Sequence, residues 1–153
     1  MRRLFGLCLM LLVSNASAAP ASISIDCPAH FPADQVTFPG KPFGWIPFMP
    51  ADLEAHTADL MYGPPARQAL AKPDSYRVHA HSTVATWELA GLPQAQKWLQ
   101  CGYGAGDELT LSQQLPMAVD TCRVTRHLDA QRNVVKVEAV CTLCERHLEA
   151  GSK

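Results

Sequence analysis

Few residues in this sequence have the type and spacing for chemistry. Cys141-Thr142-Leu143-Cys144, with His147 three positions on, is the nearest approach to a zinc or redox motif. Structural zinc takes four ligands, usually from two such pairs, and only one pair is present. A thioredoxin-type site stands at a strand-to-helix turn early in a βαβ unit. This pair follows a strand at the end of the chain. His79-Ala80-His81 would put two imidazoles on one face of a strand, a spacing that can hold a metal. No third ligand is identifiable and the segment is polar, so the pair reads as solvated histidines. Asp74, His79, His81 and Ser82 offer the groups of a hydrolytic triad, but triads are recognised by geometry rather than by closeness in sequence. No G-x-S-x-G or H-E-x-x-H accompanies them. Gly102-Tyr103-Gly104-Ala105-Gly106-Asp107 resembles a nucleotide loop, yet a strand rather than a helix follows it, so the glycines read as hairpin chemistry. No catalytic, cofactor-binding or metal-binding residue is expected, and no stretch carries a reaction.

Export changes how the cysteines read. Arg2 and Arg3, the apolar run Leu4 to Val13 and Ala16-Ser17-Ala18 follow the order of a secretory leader, so residues 1–19 are expected to be a signal peptide. Ten apolar residues are too few to span a bilayer, which takes about 20. Residues 20–153 are then one exported domain, periplasmic or secreted, with a tail that frays from about residue 145. Losing Arg2 and Arg3 leaves 11 basic against 14 acidic residues. That balance points to neither nucleic acid nor stable membrane insertion. In an oxidising compartment the default for Cys27, Cys101, Cys122, Cys141 and Cys144 is disulfides, and the odd count leaves one thiol over.

The elements that would position these residues are mostly strands. Ser22 to Asp26 alternates around Ile23 and Ile25. Phe31 to Pro50 carries five prolines and the aromatics Phe31, Phe38, Phe43, Trp45 and Phe48. It reads as a loop with one strand near Trp45 to Phe48. The plainer reading packs its rings on the core; the sharper one makes Phe43, Trp45 and Phe48 an exposed partner surface. Ala51 to Leu60 suits a turn or two of helix, with Thr57 to Tyr62 also fitting a strand, and Ala66 to Ala71 suits a short helix. Ser75 to Leu89 lacks glycine and proline and is rich in β-formers, which favours one long or bent strand. Strands at Lys97 to Tyr103, Glu108 to Leu115, Thr121 to Leu128 and Val134 to Thr142 complete the set. The fold class expected is mainly β: an antiparallel meander, small barrel or sandwich of about seven or eight strands with one or two short helices, tied by disulfides.

The last two strands give a register. Cys122, Val124 and Leu128 mark the apolar face of one, and Val135, Val137, Ala139 and Cys141 that of the other. Opposed residues of an antiparallel pair share a face. A four-residue loop, Ala130 to Asn133, therefore opposes Asp129 to Val134, Leu128 to Val135, Arg126 to Val137, Val124 to Ala139 and Cys122 to Cys141. A Cys122–Cys141 disulfide is expected on that ground. Cys27–Cys101 follows by elimination only, with other pairings open. Leu99, Leu109, Leu111, Val124, Val135 and Val137 are the expected core.

An ordered set of residues also carries a resemblance. Gly63-Pro64-Pro65, Leu70 with Pro73-Asp74, Trp87, Trp98-Leu99-x-Cys101-x-Tyr103, Leu109-x-Leu111, Leu115-Pro116 and Cys122-x-Val124 resemble a family of short exported proteobacterial proteins of unknown function, named after an uncharacterised enterobacterial locus. Cys27-Pro28 and Trp45 fit the same pattern. The resemblance spans Cys27 to Cys141 and implies no activity, cofactor or catalytic residue. Trp98 to Leu111 is also similar to one piece of the periplasmic lysozyme inhibitors, which are small exported β-barrels. Three classes of function fit. The first is a non-enzymatic binding protein of the envelope, such as an inhibitor or immunity protein that occupies a periplasmic protein partner. The others are a structural or accessory envelope protein and a small hydrolase.

Overall fold

The computed structural model describes residues 21–144, so the expected leader, His147 and the tail expected to fray lie outside the described residues. Nine strands form two antiparallel sheets among them. The strands are Ser22–Asp26 (β1), His30–Phe31 (β2), Leu53–Met61 (β3), Ser75–Val78 (β4), Ser82–Glu88 (β5), Trp98–Tyr103 (β6), Leu109–Gln114 (β7), Val119–Leu128 (β8) and Val134–Leu143 (β9). One sheet runs β1-β9-β8-β5-β4 and the other β2-β3-β6-β7. Among the described residues helix is confined to three single turns of 3-10 type, at Ala33–Gln35, Pro65–Arg67 and Gln94–Gln96.

Alternation builds the core. Successive strand side chains point to opposite faces, so every second residue of each strand turns inward. Ala85 and Trp87 of β5, Cys122 and Val124 of β8, and Val137, Ala139 and Cys141 of β9 form the buried face of the first sheet. Ala58 and Leu60 of β3 with Leu99, Cys101 and Tyr103 of β6 supply the second sheet's share of the same cluster. The Trp87 ring is 1% exposed and its indole N–H donates to the Ala71 carbonyl at 2.8 Å. That bond ties the segment after β3 over β5. Lys97 is also buried: its Nζ donates to the Met117 carbonyl at 2.9 Å and to the Val119 carbonyl. Burial pushes the Lys97 amine below its ordinary value, with Asp120 and Cys144 pulling the other way.

Several expectations are corrected. Leu53 to Met61 is strand, so the helix expected from Ala51 is absent and the strand alternative at Thr57 to Tyr62 holds in its main part, because β3 finds partners on both sides. The segment 75–89 is two strands joined by a turn at residues 79–81, closed by His79 N–H donating to the Ser82 carbonyl at 2.8 Å. This break and the two-residue β2 raise the count above eight. Trp45 to Phe48 forms no strand. In the last hairpin, Arg126 faces Val137, Val124 faces Ala139 and Cys122 faces Cys141, but Leu128 faces Val134 across an irregularity after His127. The extra residue shifts the alternation. Val134 therefore packs on the core, while Val135 is 62% exposed rather than buried. Leu99, Val124 and Val137 are fully buried, whereas Leu109 and Leu111 are partly buried against the core.

Candidate functional site

Two disulfides lock the scaffold. Cys122–Cys141 crosses the β8–β9 pair, with Cα atoms 4.1 Å apart. Cys27–Cys101 pins the chain after β1 to β6, with Cα atoms 5.8 Å apart and a sequence separation of 74. Cys144 is a free thiol. The C-x-x-C is thus split: Cys141 is bonded to Cys122, and its neighbour has no disulfide partner.

From this locked base the chain makes one long excursion between β2 and β3. Its foot is held by several contacts. Ala33 N–H donates to Asp52 Oδ1 at 2.9 Å, Ala55 N–H donates to the Ala29 carbonyl at 2.8 Å, and the Phe31 ring meets Tyr103 edge-on at 6.3 Å. Beyond the foot, local chemistry forbids regular structure. Prolines 39, 42, 47 and 50 cannot donate to a ladder. Pro39-Gly40 and Phe43-Gly44 are turns, with Gly40 at φ 77° and Gly44 at φ 80°. A positive φ at the third turn position suits glycine, and proline is favoured just before it. Trp45 N–H donates to the Pro42 carbonyl at 3.1 Å and closes the second turn.

The excursion carries its aromatic rings outward. Phe43 is 104%, Trp45 71% and Phe48 81% exposed, with Ile46 and Phe38 also exposed. The plainer reading, rings packed on the core, holds for Phe31 and is corrected for Phe38, Phe43, Trp45 and Phe48. A concavity of about 580 Å³ lies within the loop, walled by Phe38, Pro39, Trp45 and Ile46 among others. A second, of about 600 Å³, includes Phe48 and Met49. Monomeric proteins seldom expose contiguous apolar patches of this kind, and such patches mark sites of interaction.

The groups of the hydrolase reading are not brought together. Asp74 lies at the start of β4, where its Oδ2 accepts the Glu88 N–H at 2.8 Å. His79 and His81 sit in the turn at the other end of that strand, not on one strand face as expected. Ser82 opens β5 opposite His127, whose Nε2 lies 2.9 Å from Glu138 Oε2. That trio stands on an open sheet face. Hydrogen bonds from His127 and from Lys136, the latter the larger cause, hold the Glu138 carboxyl below its ordinary value. Ser75 and His79 line one groove, but four steps along the extended chain separate them by about 13 Å. Among the described residues no three His, Cys, Asp or Glu side chains cluster to hold a metal. On the outer face of the second sheet Thr57 Oγ1 donates to Asp107 Oδ1 at 2.8 Å, directly over Gly102. A Cβ there would fall 2.1 Å from the carboxylate, so only glycine fits. Burial raises the nearby Asp59 carboxyl above its ordinary value; Arg126 opposes that shift and Asp107 adds to it.

Residues 51–142 match the family described as Type VI secretion system Tli immunity protein. The chain belongs to that family. It is also similar to an uncharacterised 16.3 kDa protein from the trpG 5′ region of Azospirillum brasilense, 30% identical over 137 residues that cover 84% of this chain and 89% of the relative. No solved structure matches it. The Tli match begins after the aromatic excursion. It takes in β3 to β8, most of β9 and three of the four bridged cysteines, but neither Cys27 nor Phe43, Trp45 and Phe48. No helix among the described residues is long and apolar enough to cross a membrane.

Proposed function

We propose that this chain is a periplasmic immunity protein that neutralises a type VI secretion effector by binding it, without catalysis of its own. Family membership over residues 51–142 is the observation that carries this reading. The expected leader and the two disulfides favour an oxidising envelope compartment. The surface that meets the effector is the excursion bearing Phe43, Trp45 and Phe48. Exposed aromatics on a rigid foot fit the makeup of binding hot spots, which favour Trp and other large rings in desolvated pockets. The loop precedes the stretch matched to the family, which suits a specificity element added to a shared scaffold.

The test is protection. Cells lacking this gene are exposed to a sister strain that delivers the cognate effector, with the full chain supplied in trans. Expected survival is restored by the exported chain and not by one lacking residues 1–19. Equal survival with an empty vector, or full protection by the chain kept in the cytoplasm, contradicts the reading.

A further inference from the structure

The outer face of the five-stranded sheet carries a groove of about 320 Å³ that the immunity reading does not use. It is lined by Ser75, Arg77, His79, Val84, Thr86 and Arg123. The two arginines stand on strands either side of β5: Arg77 faces Val84 across the β4–β5 pair, and Arg123 faces Thr86 across the β5–β8 pair. The side chains between them are short, so both guanidinium groups border one hollow. Both arginines are exposed, and among the described residues neither forms a salt bridge. Of the carboxylates on the same face, Asp26 stands on β1, two strands beyond β8, and those nearer are engaged. Glu88 accepts from Thr121 Oγ1 at 3.0 Å, and Glu138 is bound to His127 and Lys136. General basicity does not explain the cluster, since the whole chain has a formal net charge of −1.

We propose that this groove binds a phosphate group. A carboxylate is satisfied by the fork of a single guanidinium, which would leave the second arginine unmatched. A phosphate ester carries about −1.5 to −2 charge near neutral pH and three strong acceptor oxygens. It therefore matches two guanidinium groups, with the Ser75 and Thr86 hydroxyls as further donors. The phosphate is a monoester, carried either by a soluble molecule or by a lipid headgroup that ends in one, and the chemistry of recognition is the same.

The assignment is tested on the mature chain by following the arginine Nε–H signals in nuclear magnetic resonance at fixed ionic strength. Inorganic phosphate is titrated in one arm and phosphatidic acid vesicles are added in another. Saturable shifts at Arg77 and Arg123 are expected, with affinity at least tenfold weaker in R77Q and R123Q and unchanged in K41Q. Thermal midpoints are measured alongside to show that each variant is folded. Response to free phosphate identifies a soluble ester, and response to vesicles alone identifies a headgroup; either supports the groove. Absence of saturation in both arms, or equal weakening by K41Q, overturns the proposal. Tighter binding of a poly-glutamate peptide at the same signals also overturns it, in favour of an acidic protein contact. None of these outcomes depends on protection from an effector.

Discussion

Trp87 and Trp45 are the same side chain in opposite settings. Trp87 is 1% exposed, hydrogen-bonded to Ala71 and enclosed between the sheets; Trp45 is 71% exposed on a proline-rich loop. The difference separates what holds the fold from what the fold presents. Large aromatics are normally spent on the core, so a loop that leaves Phe43, Trp45, Ile46 and Phe48 in water forgoes burial worth about 1.5–3 kcal/mol for each such side chain. The proposed partner surface would restore that burial on binding. The two tryptophans therefore make a matched pair of probes. Trp87→Ala should cost about 3–5 kcal/mol in denaturant unfolding, and Trp45→Ala about 0.5 kcal/mol or less. Similar losses at the two positions would erase the division between core and display.

The disulfides sharpen the same contrast. By loop length, opening Cys27–Cys101 should cost about 4 kcal/mol and opening Cys122–Cys141 about 3 kcal/mol. Paired Cys→Ala variants, unfolded in urea, test the order. Cys27–Cys101 also anchors the foot of the excursion through β6 and Tyr103, so its loss should weaken effector binding more than loss of the other bridge.

Lys97 is the charged group of the core. Lys97→Met orphans the carbonyls of Met117 and Val119 and should cost about 1–3 kcal/mol at neutral pH. The pH dependence has a definite sign. The folded amine titrates below the ordinary lysine value, so between the two values the unfolded chain holds more protons and stability contributed at this site rises with pH. Tyr103, whose phenol burial pushes upward, acts oppositely once pH passes the ordinary tyrosine value. The gap between wild type and K97M should therefore widen as pH rises toward the ordinary lysine value. A gap independent of pH would mean that the amine is not desolvated.

A smaller pair tests the irregularity in the last hairpin. Val137→Ala should cost about 1–3 kcal/mol and Val135→Ala less than about 0.5 kcal/mol, although both valines lie on one face by simple alternation. Reversed costs would restore the uninterrupted register.

Much of the scaffold was legible because burial imposes a period of two. β1 could be read from Ile23 and Ile25, and the Cys122 to Cys141 register from matching apolar faces on β8 and β9. What escaped lacks a composition signal. The turn at residues 79–81 contains neither glycine nor proline, yet a shift of parity announces it: Tyr76 and Val78 are even, whereas the inward residues Thr83, Ala85 and Trp87 are odd. A straight strand cannot do that. Val135 escaped because an inserted residue leaves no mark in residue type. The groove at Arg77 and Arg123 escaped because β5 joins residues distant in sequence. The aromatic loop was visible as composition, but whether its rings turn inward depends on the length and placement of the neighbouring strands.

The most direct test measures the dissociation constant for the cognate effector with wild type and with the F43A/W45A/F48A variant, after equal thermal midpoints have been shown. Hot-spot side chains contribute about 2 kcal/mol or more each. The affinity should therefore fall by roughly 100-fold or more, while the R77Q/R123Q variant binds as wild type does. An unchanged dissociation constant in the triple variant would contradict the claim that this loop is the surface presented to the effector.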